Sequence, residues 1–554
     1  MKWNDIFTIK PLDYKTAEAD LDRNSPEAAA VFRKMIADHK KVVGYRDRLI
    51  AFAASLFGGS IFDPAPPDLK GTEPLTVDAE WTPAPESESE PESDAQTGEQ
   101  PKPEDPQPDP KKPKKKHAGI TPSSEHTHAF PVHGCSCPSC GKATVVGRSL
   151  SKTVIFGGPF LTAEHHVVET RRCLDCAATV HAPTPPNLAE TIGRFHYSAV
   201  SSLACLRYLF GMPSYRLQTV AQSFGGRVPD TTQFALFEEA ANLLKKFYEH
   251  LQTVCANAPV NHMDDTTALI LGVREEFRAK LAAAVEQGKK TDDIRTGIHT
   301  TAVIGALPEG KAIIYQTGLH HGGEVIAKLI GMRSVPETVI LMVDAASANT
   351  SKLKPDAKVT VANCNSHSFR KFKDAKGNFP KAAAFFLDLY AQIFKTDEKA
   401  KSLTPEARLA LHQLESEPRM EEMQKRILKD FKDKVVEPNS ELGKIYKYFL
   451  NHYPKLIRFC TDVGAPVCNN LSERVLKVFI RQRRNSLFFK NDIGAKVSDI
   501  LSSVLVTAHL NGTNPVKYME HLLIHRADVS REPDAWLPWN YLKRYPESST
   551  APTS

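Results

Sequence analysis

Val339-Ile340-Leu341-Met342-Val343-Asp344 decides the fold: five apolar residues in a row, then a carboxylate. A run this short with both faces apolar reads as a strand buried inside a layered sheet. Working outward toward the N-terminus, Ala268 to Val273, His299 to Ala306 and Lys311 to Thr317 read as further strands. Pro308-Glu309-Gly310 makes the turn between the last two, and His321-Gly322-Gly323 opens a helix through Ile330. Toward the C-terminus, Val359 to Cys364 reads as one more strand. Strands, a helix, then strands again predict an α/β layer fold with a mixed sheet.

Three strands, a helix and a strand is the order of the ribonuclease H-like fold, expected over 258–525. Residues 380–460 return to long charged amphipathic helices, Leu409 to Asp433 and Leu442 to Phe459, so a helical insertion is expected over about 376–460. Asn469 to Asn511 is helical again. Before the sheet, 183–257 reads as helical: Tyr215 to Phe224, a Gly225-Gly226 break, then Pro229 to Lys246, which Asp230 or Thr231 could cap. Helix, glycine turn, helix has the form of a helix-turn-helix whose second helix enters a DNA groove; an ordinary helical hairpin reads the same way. Residues 1–62 suggest a helical arm, 63–127 an extended linker and 526–554 a tail. Thirteen of the 39 prolines fall in 63–118, a stretch that ends in Lys111-Lys112-Pro113-Lys114-Lys115-Lys116. Such a stretch buries too little apolar surface to offset its ordering entropy.

The chain has 554 residues, with 71 Lys+Arg against 65 Asp+Glu, a net +6. That balance alone does not argue for nucleic acid; a local basic face would. No run of about 18 apolar residues exists, and the N-terminus lacks the apolar core of a secretory signal. A cytoplasmic, nucleoid-associated protein is expected.

Five of the ten cysteines lie close together: Cys135, Cys137, Cys140, Cys173 and Cys176. Each C-x-x-C, Cys137 with Cys140 and Cys173 with Cys176, sets two thiolates on one tight turn, half of a tetrahedral metal site. Two such pairs predict a structural Zn²⁺ in a ribbon-like domain over 128–182, with Cys135, His128 and His133 as substitute ligands. Iron would suit the same sulfurs.

Three acids are candidates for catalysis. Asp264 sits in Asn261-His262-Met263-Asp264-Asp265-Thr266, Asp344 ends the apolar strand, and Glu473 sits near a helix start in Asn469-Asn470-Leu471-Ser472-Glu473-Arg474. Carboxylates at strand ends beside a helix can converge on hard cations, and a pair of magnesium ions would hold the attacking and leaving oxygens of a phosphodiester in line. After Glu473 come Arg474, Lys477, Arg481, Arg483 and Arg484, a positive helix suited to a polyanion.

These motifs, in this order, resemble the transposases of the insertion-sequence 66 family, a group of DDE transposases. His262-Met263-Asp264-Asp265-Thr266 is similar to its HxDET segment, and Cys364-Asn365-Ser366-His367-Ser368-Phe369-Arg370-Lys371-Phe372 to CWAHxRRKF. Asn469 to Arg474 is similar to NNxxER, and Arg483-Arg484-Asn485-Ser486-Leu487-Phe488 to RKNxLF. The cysteine pairs stand where the family has a zinc-binding domain. The chain departs from the pattern at Ala345-Ala346-Ser347, where the family carries Gly-Tyr, at Asp265 for Glu and at Asn365 for Trp. The resemblance implies metal-dependent DNA cleavage and strand transfer. Asp264, Asp344 and Glu473 would hold Mg²⁺ or Mn²⁺, and His367 and Arg370 would stand in the second shell or contact DNA. It implies double-stranded DNA as partner at element ends and target, a homo-oligomer on DNA and small accessory proteins of the same element. The rival readings are a DNA-binding regulator with an idle acid site, and a nuclease that cleaves without joining.

Overall fold

The computed structural model describes residues 119–550, apart from 121, 131–135, 148, 158–160, 225, 287–296 and 347–348. The expected N-terminal arm, the linker through 118 with its lysine run, Cys135 and His133 lie outside the described residues. The end of the expected linker is corrected. β1 (Gly119–Ile120) and β2 (Ser124–His128) are strands, and β2 lies parallel to a strand that follows.

The cysteine region is built from β strands. β3 (Thr144–Val146), β4 (Leu150–Phe156), β5 (Thr162–Val168), β6 (Thr170–Cys173) and β7 (Thr179–His181) fill it. β3, β6 and β7 make one antiparallel sheet. β2, β5 and β4 make a second with the two-residue strands β8 (Thr191–Ile192) and β9 (Phe195–His196).

Three helices follow: α1 (Tyr197–Ala204), α2 (Ser214–Ser223) and, after β10 (Gly226–Arg227), α3 (Asp230–Asn257). The two helices of the expected helix-turn-helix are therefore present, the second longer than expected. Its apolar face, Leu236, Phe237, Leu244, Phe247 and Leu251, is buried in the same core as Val303 and Ile313 of the main sheet.

The main sheet has the order β13-β12-β11-β14-β15. β11 (Val260–Thr267) leads into α4 (Leu271–Glu286), β12 (His299–Ala306) and β13 (Lys311–Gly318), then α5 (Gly322–Gly331), β14 (Val339–Val343) and β15 (Val359–Asn363). β13, β12 and β11 pair antiparallel; β11, β14 and β15 pair parallel. One strand was misplaced by sequence. Ala268 to Val273 is not a strand; the first strand is β11, and Leu271 opens a helix on which Val273 and Phe277 bury at i, i+4. β11 reads as polar because Asn261, His262, Asp264 and Asp265 fall on it.

An edge strand presents unpaired backbone donors, and helix α13 (Asp492–Leu510) covers those of β13. The amides of Lys311, Ile313, Tyr315 and Thr317 donate to Asn511, Thr507, Ser503 and Asp499 at 2.9, 3.0, 2.9 and 2.7 Å. Four helical residues rise about 6.0 Å and two strand residues about 6.7 Å, so an i, i+4 polar stripe keeps step with every second amide. By length and composition α13 is apolar enough to cross a membrane, but 67% of that window is buried within the fold.

Between β15 and α13 lies the helical insertion: α6 (Asn365–Asp374), α7 (Pro380–Ala400), α8 (Pro405–Glu415), α9 (Glu417–Lys432), α10 (Glu441–Leu456) and α11 (Arg458–Thr461). It has its own core, in which Phe372 stacks on Phe386 at 4.2 Å. α12 (Asn470–Ser486) then returns to the sheet across β11 and β12.

Candidate functional site

Strand register brings two of the three acids together. The parallel ladder of β11 with β14 ends at the pair His262 and Met342; Asp264 and Asp344 each follow two residues beyond that last pair. Asp264 Oδ1 accepts from the Asp265 amide at 2.9 Å. Asp344 Oδ1 accepts from the Ala346 amide at 3.2 Å and from Asn349 Nδ2, and Asn363 Nδ2 donates to the Asp344 carbonyl at 3.2 Å.

The third acid, Glu473, lies in the first turn of α12. Asn469, the residue before that helix, is fully buried, and its side chain does not cap its own helix. Instead Asn469 Nδ2 donates to the Met263 carbonyl at 2.9 Å, and Oδ1 accepts from His262 Nδ1 at 3.1 Å. Burial pushes His262 down to about 4, so its imidazole is neutral. The helix start that carries Glu473 is thus pinned to the two residues before Asp264.

Asp264 also sits among other acids. The Asp264 carboxyl is pushed up to about 7, chiefly by burial, against the Asp265 amide and with the anions of Asp344, Asp265 and Glu473 adding to it. Neighbouring carboxylates resist ionising together; among the described residues, the donor atoms of Asp264, Asp344 and Glu473 do not all lie within 4.8 Å of one another.

α6 supplies the neighbouring groups. Its apolar side packs Phe372 into the insertion core. On its other side Arg370 Nη2 donates to both oxygens of Glu473, at 2.6 and 2.8 Å. His367 feels Asp344, Glu473 and Arg370, but burial is the main cause that lowers its pKa, and its Nδ1 is buried without a hydrogen bond. Asn365 Nδ2 ties this helix to the Leu456 and Val467 carbonyls at 2.9 and 3.1 Å.

The five basic residues after Glu473 divide in two. Arg474, Lys477 and Arg484 are exposed, and their spacing sets them on one side of α12. Arg481 Nη2 donates to the Leu209 carbonyl at 3.1 Å, and Arg483 Nη1 donates to the hydroxyls of Thr266 and Thr267 at 3.0 and 2.7 Å. These last two fasten α12 to its surroundings.

The cysteine pairs meet in a second centre. Cys137 Sγ lies 3.4 Å from Cys176 Sγ, and Cys140 Sγ lies 3.5 Å from Cys173 Sγ; all four sulfurs are within 4.8 Å of one another. Sulfurs at about 2.3 Å from a tetrahedral zinc are roughly 3.8 Å apart, so the cluster is compatible with a zinc site. The two turns are built alike. The Cys137 amide donates to the Lys142 carbonyl and the Cys173 amide to the Ala178 carbonyl, both at 2.8 Å. The residue after each second cysteine has a positive φ, 75° at Gly141 and 61° at Ala177. The backbone amide of Ser139 leads in holding the Cys137 thiol down to about 6, while, against the Lys142 amide, the neighbouring sulfurs push Cys140 up to about 12, so four crowded sulfurs do not ionise together unaided.

Sequence reasoning assigned no role to Asn469 or His262. An Asn directly before a helix was the available signal, but it reads as a cap. The use of its side chain on a strand 206 residues earlier is visible only in the fold.

Comparison with known proteins agrees with the resemblance. The family model described as "Transposase IS66 family" matches residues 193–497, more than half of the chain. Two Sinorhizobium fredii proteins described as uncharacterized, y4jD and y4hP, are each 23% identical over 414 and 444 residues, covering 74% of this chain and 78% and 74% of their own lengths. A third, y4qI, is 26% identical over 211 residues, 36% of this chain and 39% of its own. Strand register, the helix start bearing Glu473 and the paired cysteines thus lie in a chain that belongs to the IS66 family of transposases.

Proposed function

We propose that this protein is a DDE-type transposase that cuts DNA at the ends of an insertion sequence and joins the freed 3′-hydroxyl to a target phosphodiester. On this reading Asp264, Asp344 and Glu473 hold Mg²⁺ or Mn²⁺, the cysteine centre holds a structural Zn²⁺, and 258–525 is a ribonuclease H-like domain with the helical insertion inside it. The observation that carries the reading is the tying of three elements: the parallel ladder of β11 with β14 ends two residues before Asp264 and Asp344, and the helix start bearing Glu473 is tied by Asn469 to the strand bearing Asp264. The sheet order, three antiparallel strands with two parallel strands added beside the first, supports the fold assignment.

The cation pair would stabilise charge on the phosphodiester oxygens. The chain's own residues do the rest. The carboxylates fix the reacting centre, Arg370 balances Glu473, and Arg474, Lys477 and Arg484 offer the duplex backbone a positive side. DNA at element ends and target is the substrate, with a homo-oligomer and element-encoded accessory proteins as partners on the DNA.

The test is strand cleavage and strand transfer on DNA carrying the element ends, with Mg²⁺ or Mn²⁺. Glu473→Gln is expected to lose both while melting like the parent protein. Cleavage without joining favours a nuclease. Metal-independent DNA binding with no chemistry favours a regulator, a reading to which the Arg370 clamp on Glu473 gives some support.

A further inference from the structure

Asp265, His299 and His321 gather a second set of metal-donor atoms, one carboxylate oxygen and two imidazole nitrogens, all within 4.8 Å of one another. They come from three elements: the middle of β11, the first residue of β12 and the residue before α5. In the antiparallel register Asp265 faces Thr301 and His299 faces Thr267, so Asp265 and His299 are diagonal neighbours on one face of the sheet. Asp264, one residue back, points to the other face. There α12 lies, through the contact of Arg483 with Thr266.

Local structure is shaped to bring the three together. The Gly322 amide donates to Asp265 Oδ2 at 3.0 Å, the kind of outer hydrogen bond that orients a ligating carboxylate. A Cβ at Gly322 would meet Met263 Sδ at 2.6 Å and Asp265 Oδ2 at 3.3 Å, so only glycine lets the helix start approach this closely. A Cβ at Gly297 would meet His299 Nε2 at 2.8 Å. The rings of His299 and His321 lie 4.1 Å apart at 44°. A shared cation is the partner that one carboxylate oxygen and two imidazole nitrogens, brought together from three elements, can all serve.

We propose that Asp265, His299 and His321 bind a divalent ion of the zinc class, at a site across the sheet from the three carboxylates and apart from the cysteine centre. Two nitrogens and one oxygen suit Zn²⁺, Co²⁺ or Ni²⁺, whereas Mg²⁺ prefers oxygen ligands and keeps its water. Donor atoms of a tetrahedral zinc stand roughly 3.3 Å apart, so small side-chain rotations close the set, and the exposure of His321 leaves room for water as the remaining ligand. Bound there, the ion ties the end of β11 to β12 and to the first turn of α5, stiffening the strand that bears Asp264 without touching it.

The experiment is metal content of the full chain, stripped with chelator, equilibrated with Zn²⁺ and dialysed, for the parent protein, His299→Ala, His321→Ala and Cys137→Ser. Both histidine variants are expected to hold one fewer zinc equivalent per chain than the parent, with excess Mg²⁺ failing to displace that equivalent. His321 is exposed, so His321→Ala is expected to fold, losing in the stripped state only its cap on α5, yet to lose the upward melting shift that Zn²⁺ gives to Cys137→Ser when the two are combined. Equal zinc content in parent and His321→Ala, or a Zn²⁺-induced shift that persists in the combined variant, overturns the proposal. None of these readouts uses DNA, so failure here leaves the transposase reading standing, and the reverse.

Discussion

Asn469→Ala tests whether one buried amide positions the acid cluster. The substitution leaves the Met263 carbonyl and His262 Nδ1–H without partners in a fully buried place. Each orphaned group costs about 1–3 kcal/mol, so about 2–6 kcal/mol in all. At about 2 °C per kcal/mol for a chain of this size, melting should fall by roughly 4–12 °C. The helix start then loses its tie to β11, and a shift of Glu473 by about 1 Å can cost on the order of 100-fold in rate. The control is Asn470→Ala, one residue on, where the side chain is exposed and accepts only from Ser366; its effect should stay within about 0.5 kcal/mol. The assays are thermal melting and metal-dependent cleavage of element-end DNA, both done below the variant's melting range. If Asn469→Ala melts early but cleaves at the parent rate, Asn469 is a structural tie and the positioning argument is wrong. If it matches Asn470→Ala in both, the hydrogen bonds carry no energy and the whole account of the helix start fails.

Three further outcomes are expected. Asp499, fully buried, is pushed up to about 7 by burial, against the Thr317 amide and hydroxyl that bond it. The folded state therefore keeps a proton that the unfolded chain gives up near 3.8. That contribution is full below about pH 4, falls as pH rises to about 7 and is flat above, for at most about 4 kcal/mol. Asp499→Asn keeps partners for Thr317 and should flatten the fall in urea midpoint across that window; an unchanged slope refutes the assignment. Lys477→Glu and Arg484→Glu should each weaken DNA binding across sequences and reduce the salt slope by about 1, measured by titration at several salt concentrations, whereas Arg483→Met should act mainly on melting. Cys137→Ser should lose the zinc equivalent held by the sulfur cluster, read by metal content after dialysis.

What was legible in the sequence followed from short-range physics. The apolar run Val339 to Val343 and the segment His299 to Ala306 are strands with the bounds their patterning predicts, because burial on both faces leaves a continuous apolar signal. The cysteine pairs were legible because both halves of the centre are set within one turn each. β11 was not, and the reason is chemical: a strand loaded with Asn261, His262, Asp264 and Asp265 carries the polar residues that a site needs and so loses the pattern that marks a strand. The local rule fails where function sits.

The least legible part is the long-range polar fastening. Asp499, Ser503, Thr507 and Asn511 look like interruptions of an apolar helix, yet each accepts from a different amide of β13, some 190 residues earlier. Asn469 fastens to β11 by donating to the Met263 carbonyl, and Arg483 by donating to the Thr266 and Thr267 hydroxyls. A polar side chain on a buried helix costs energy unless it is paired, so each of these residues fits only one register of helix against strand. A slide of one turn brings this i, i+4 stripe back into step but leaves the amide at one end of β13 without its acceptor, and any smaller slide breaks all four bonds. The sheet, α12 and α13 are thus locked in a single alignment. That alignment fixes the helix start bearing Glu473 against the strand bearing Asp264, and the proposed acid site depends on it.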